Sequence, residues 1–154
     1  HLHAIVAPPL LGKDHPLYKI HDVFNAVFVH GNMLGDAMFY GSGAGKLPTA
    51  SAVVADVVDE AKHLHRNIMT MWKSEKLVLE PIEDTCKRFF VRVSGNAEEM
   101  KEKVEKLFGA VQIVKVPALE DEFSFVTEVM TEGDYRKKAE ELPEILHMIR
   151  IEER

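Results

Sequence analysis

Apolar and polar positions follow several different rhythms along this chain. Residues 1–11 open on the alternation HLHAIVA, which predicts a short strand ended by Pro8-Pro9, where φ is fixed and backbone donors are lost. Gly12-Lys13-Asp14 makes a turn, with Asp14 placed to cap one helical turn that begins near Pro16. Residues 25–29 (NAVFV) are rich in β-branched and aromatic side chains and read as a strand. Gly31-Asn32 is a tight turn, and residues 34–40 form the return strand of a hairpin. Gly41, Gly43 and Gly45 then crowd together more densely than a regular strand or helix tolerates at low cost. Beyond them the period lengthens. A helix is predicted from near Pro48, with Ala50, Val53, Val54, Val57, Val58, Ala61 and Leu64 on its buried side. Asp56, Asp59, Glu60 and His63 occupy its polar face, and the small residues Ala50, Ser51, Ala52 and Ala55 allow a close neighbour.

Residues 68–85 sustain no period and read as a connector, partly anchored by Trp72. From Cys86 the pattern becomes regular again. KRFFVRVSG is a strand, and NAEEMKEKVEKLFGA is a helix with Met100, Val104, Leu107 and Phe108 on one side and Gly109 at its end. VQIVKVPA and EFSFVTEVMT are strands, EGDYRKKAEELPEI is a helix, and LHMIRIEE is a closing strand. The resulting order, βαββαβ, is that of the ferredoxin-like split arrangement. The chain therefore reads as α+β, a hairpin with a glycine turn and helix followed by this second domain. The predicted boundaries are 1–67, a connector at 68–85, and 86–154.

Composition narrows the function classes. With 46% hydrophobic and 29% charged residues over 154, the chain has the make-up of a folded domain. A net charge of −6 lacks the basic footprint of a nucleic-acid binder. No apolar run approaches the length of about 20 residues that spans a bilayer. Cys86 is the single cysteine, so no disulfide forms within the chain, and a reducing cytoplasm is the expected location. The opening on His1, already in strand-like alternation, is the pattern of a piece cut from a larger fold.

Candidate chemistry centres on the glycine turn. Backbone without Cβ lets a flat or charged ligand approach closely, and a helix start behind it offers N–H groups and a positive dipole end. The spacing is G-x-G-x-G rather than the dinucleotide fingerprint G-x-G-x-x-G, so taken alone the turn reads first as a tight strand-to-helix junction. Two His-x-His pairs, His1/His3 and His63/His65, have no cysteine or carboxylate at zinc-like spacing, and no metal site is assigned. Cys86 has only Lys87 and Arg88 as neighbouring activators and reads as structural.

Over residues 12–60 the strings HPL, VFNAVFV, MFYG-x-GAG and PT-x-SAVV, in this order and spacing, resemble the homoserine dehydrogenase family. EPIEDTCKRFFVRV is similar to that family's junction into an appended ACT domain. The resemblance implies an enzyme that reduces aspartate semialdehyde to homoserine with NADH or NADPH, on the way to threonine and methionine. It implies that Gly41, Gly43 and Gly45 lie against the cofactor, Gly45 closest, and that the hairpin belongs to the substrate-side sheet, which also builds a homodimer. The family's nucleotide-binding domain and catalytic lysine have no counterpart here, so no catalytic residue is assigned and the chain alone is expected to be inactive. The family's effector turn is replaced by Ser94-Gly95-Asn96-Ala97, so the resemblance carries the ACT-like fold and leaves an amino-acid effector open. The competing expectation is a non-catalytic ACT-type sensing or dimerisation module.

Overall fold

The structure, a computed structural model, describes residues 2–67, 69, 71–116, 119 and 121–152. The chain divides into two compact units. One gathers the residues up to Gly12 and from Leu77 onward; the other is Lys13–Lys76.

The first unit is a sheet covered by two helices. Its strands are β1 (Pro9–Leu11), β4 (Cys86–Ser94), β5 (Val111–Val114), β6 (Glu122–Thr127), β7 (Met130–Thr131) and β8 (Ile145–Glu152), and its helices are α2 (Ala97–Phe108) and α3 (Glu132–Glu140). Spatial order is β1-β8-β4-β6-β5, with β7 paired to the start of β4. The run β8-β4-β6-β5 is antiparallel throughout, as the βαββαβ order requires. Period-two alternation puts Phe89, Val91 and Val93 of β4 at 0% exposure while Arg92 faces out. These meet Phe123 and Phe125 from β6 and Val104 and Phe108 from α2, the side of the helix that the spacing selects. Ring contacts at 5.1 Å (Phe108–Phe125) and 4.5 Å (Phe89–Tyr135) tie both helices to the sheet. Burial pushes the Tyr135 hydroxyl up to about 12, against the pull of Arg150, so it stays protonated.

The ends of α2 are set by local chemistry. The Asn96 side chain accepts from the Glu98 N–H at 2.8 Å, and Gly109 closes the helix at φ +81°. Asn96→Ala should therefore lower stability by about 1 kcal/mol, read by urea titration of the core signal.

Three expectations are corrected in this unit. The first strand is Pro9–Leu11, starting at the second proline instead of ending there, and it runs parallel to β8 at the sheet edge. An edge strand can begin on proline because no ladder donor is lost. Its pairing also carries the first residues across the boundary expected at residue 67. The third strand of the βαββαβ set breaks after Thr127, because the Thr127 hydroxyl accepts from the Phe89 N–H at 3.0 Å where a backbone carbonyl would otherwise continue the ladder. Pairing resumes only at Met130–Thr131, against Lys87 and Cys86. The tail of the predicted second strand, Pro117 and Ala118, lies outside the described residues.

The second unit holds a 3-10 turn (Pro16–Lys19), the hairpin β2 (Phe24–Gly31) and β3 (Gly35–Ser42), and helix α1 (Lys46–Lys62). His15, not Asp14, caps the 3-10 turn, its ring nitrogen accepting from the Leu17 N–H at 3.2 Å. Phe24 and Tyr40 stack at 5.0 Å across the hairpin. The apolar side predicted for α1 is not buried: Val53, Val57 and Leu64 are each more than half exposed. Trp72, expected to anchor the connector, is 89% exposed, and its neighbour Met71 is equally bare.

Candidate functional site

The glycine turn joins β3 to α1, and each of its glycines answers a different demand. Gly45 is the N-cap of α1 at φ +123° and ψ 154°, a region that essentially only glycine occupies. A Cβ there would also sit 3.4 Å from the Pro48 ring. Gly43 lies beneath the Asn25 side chain: a Cβ would run into the Asn25 amide nitrogen and come within 2.9 Å of its Cγ. Gly41 has nothing within 4 Å of the place a Cβ would take, which leaves that stretch of β3 open.

Register explains how they come together. Asn25 pairs with Gly41 and Val27 with Phe39, so these four share one face of the hairpin. That face holds a shallow depression of about 290 Å³, lined by Asn25, Val27, Phe39, Tyr40, Gly41 and Gly43 among others. No side chain caps the α1 N-terminus and no acidic residue lies in its first turn. The depression thus combines bare backbone with apolar walls, suited to a planar ligand, and the uncapped start of α1 follows it in the chain.

The other predicted groups lie elsewhere. His30 contacts the Asp36 carboxylate at 2.6 Å, and the His63 ring nitrogen lies 2.9 Å from the Asp59 carbonyl, both local pairings. Among the described residues no group of three or more His, Cys, Asp or Glu side chains is placed to hold a metal ion. Cys86 is exposed, beside a depression lined by His3, Ile5, Asp84, Thr85 and Lys87. In the sheet unit, the Ser94–Ala97 turn keeps a glycine at φ +112°, with the Gly95 N–H donating to the Asp121 carbonyl at 2.8 Å. Asn25 was not singled out from sequence. Its spacing to Gly43 says nothing until the hairpin register lays one over the other.

Residues 2–58 match the family model of homoserine dehydrogenase. The chain is homologous to homoserine dehydrogenase. Over 157 aligned residues it is 34% identical to the homoserine dehydrogenase of Synechocystis sp., a match covering 91% of this chain and 36% of that protein. A shorter match to the Lactococcus lactis homoserine dehydrogenase is 53% identical over 55 residues, covering 36% of this chain and 13% of that protein. The crystal structure of Staphylococcus aureus homoserine dehydrogenase at pH 7.0 superposes with a TM-score of 0.67 at 25% identity, over 96% of this chain and 37% of the other. The Thiobacillus denitrificans homoserine dehydrogenase, at 23% identity and a TM-score of 0.72, supports the fold, over 96% of this chain and 38% of the other. The chain thus spans little more than a third of the length of the relatives it matches most fully. The homoserine dehydrogenase match reaches upstream of residue 12, where the sequence resemblance begins, and it takes in the whole glycine turn. Homoserine dehydrogenases are oxidoreductases that use NAD or NADP. A stand-alone sensor would leave the match over residues 2–58 without a role.

Proposed function

We propose that the chain is the carboxy-terminal part of a homoserine dehydrogenase that interconverts L-homoserine and L-aspartate 4-semialdehyde, and that Gly41, Gly43 and Gly45 form one wall of its dinucleotide site. The observation that carries this reading is the glycine turn itself: Gly41 and Gly43 line an apolar-walled depression, and Gly45 at φ +123° opens the helix that follows with no side-chain cap. The dinucleotide, NAD or NADP, supplies or takes up the hydride. The residues of this chain do what bare backbone can do: admit the ring closely and hold it in a fixed plane. Proton transfer and grip on the substrate amine fall to parts of the enzyme that the motifs of this chain do not contain.

The exposed apolar side of α1 supports the same reading, since Val53, Val54 and Val57 form a stripe suited to packing against another part of the enzyme. The isolated chain should accordingly bind NADP weakly or not at all by calorimetry. Micromolar binding by the chain alone would overturn the shared-site reading. We also propose a homodimer, supported by the sheet edges that β1 and β5 offer for pairing; a clean monomer in sedimentation at high concentration would sink it. The one cysteine, exposed and unpaired, supports a cytoplasmic location. Among the described residues no helix is long and apolar enough to cross a membrane.

A further inference from the structure

The geometry points to Asn25 as the residue that recognises the carboxamide on the cofactor's nicotinamide ring, an inference that rests on the dinucleotide reading above. Gly41, directly across the hairpin from Asn25, has no side chain, so the Asn25 carboxamide leans along β3 until it lies over Gly43. It fills the space a Gly43 side chain would need. No hydrogen bond to a described residue uses its donor or acceptor groups. The side chain is exposed and stands at the rim of the depression whose apolar walls are Val27 and Phe39.

An exposed carboxamide with no hydrogen-bond partner among the described residues has specific chemistry to offer. It presents one N–H edge and one carbonyl edge, so it complements a second carboxamide, donating to that group's carbonyl and accepting from its N–H. A flat ring lying on the apolar walls over bare Gly41 would bring a ring substituent to the Asn25 carboxamide at that rim. A ring without the carboxamide would leave both edges of Asn25 unanswered by the ligand, which is how polar sites discriminate against close analogues.

The test uses the whole protein of which this chain is proposed to be a part, with binding followed by quenching of intrinsic fluorescence. Two ligands are compared: the nicotinamide dinucleotide and its pyridine analogue, identical except that the ring lacks the carboxamide. The unaltered protein should prefer the amide form by about tenfold, and Asn25→Ala should reduce that preference to less than about twofold. Binding of the pyridine analogue should itself change little. Asn25→Ser, too short to reach the ring, gives the same readout should the alanine variant fail to fold. If both ligands weaken in parallel, Asn25 only shapes the turn and the inference is overturned. Equal binding of both ligands to the unaltered protein also overturns it, while leaving the dinucleotide reading intact. If neither ligand binds the unaltered protein, the dinucleotide reading falls and this inference falls with it.

Discussion

Gly45→Val in the whole protein should raise the dissociation constant for the dinucleotide by on the order of tenfold or more, with the melting temperature of the sheet unit unchanged. The expectation follows from backbone geometry. At φ +123° and ψ 154° an L side chain is strained by on the order of 1–3 kcal/mol, and the Pro48 ring stands close behind. The turn can relieve that strain only by rotating the 45–46 peptide. Rotation would shift the first N–H groups of α1 away from the ligand. Because α1 is bare along its length, the change has little core to disturb, so binding and stability should separate. Calorimetric titration alongside a thermal melt reads both. Unchanged affinity would mean that the turn is a junction and nothing more.

Glu132→Ala should cost about 3 kcal/mol of folding stability, a large share of the roughly 5–15 kcal/mol that holds a domain together. Glu132 is completely buried at the start of α3. Its carboxylate accepts two hydrogen bonds from Arg150, at 2.6 and 2.8 Å, and one from Arg136 at 2.8 Å. Arg136 continues to Glu83 at 3.1 Å, and the Glu132 N–H donates to the Thr85 carbonyl at 2.9 Å. One carboxylate thus clamps the last strand, the third helix and the segment leading into β4. Truncating it leaves Arg150, four-fifths covered, without its charge partner. Arg136 is half exposed and recovers some hydration, which keeps the loss near the lower end for broken buried pairs.

The same clamp predicts an acid slope. The Arg150 hydrogen bonds hold the Glu132 carboxyl below its ordinary value of 4.5, against the opposing effect of burial and with further help from Arg136. A group whose folded value is depressed adds stability that is full above the unfolded value. As pH falls below about 4.5 the unfolded chain takes up the proton first, and the advantage fades until the folded carboxyl titrates too. The gap between the unaltered protein and Glu132→Ala in urea titrations should therefore be constant near neutrality and narrow below pH 4.5. Lys103 lowers Glu144 as well, so some acid slope should survive in the variant.

What was legible in the sequence follows from where burial enforces a period. β4 and α2 were readable because Phe89, Val91, Val93, Val104 and Phe108 must all reach one core, and their spacing shows it. The same logic misled at α1. Its valines have a regular helical spacing, but spacing reports which residues share a face, not what covers that face. Trp72 failed for a related reason, since aromatic character in an aperiodic stretch says nothing about what lies nearby. Gly41, Gly43 and Gly45 were visible as a cluster, yet their separate roles were not. Those depend on a torsion angle at Gly45 and on cross-strand register at Gly43. The break after Thr127 was hidden for the same kind of reason, because it comes from a hydroxyl competing with a carbonyl across two strands.

The parallel pairing of residues 9–11 with 150–152 sets two stretches far apart in the chain side by side in the sheet unit. Lys13–Lys76 is then an insertion spliced between two halves of one body rather than a bead ahead of another. Expression from Leu77 onward would strip β8 of its outer neighbour and uncover a sticky strand margin, so the natural unit for dissection keeps the opening residues and excises the middle.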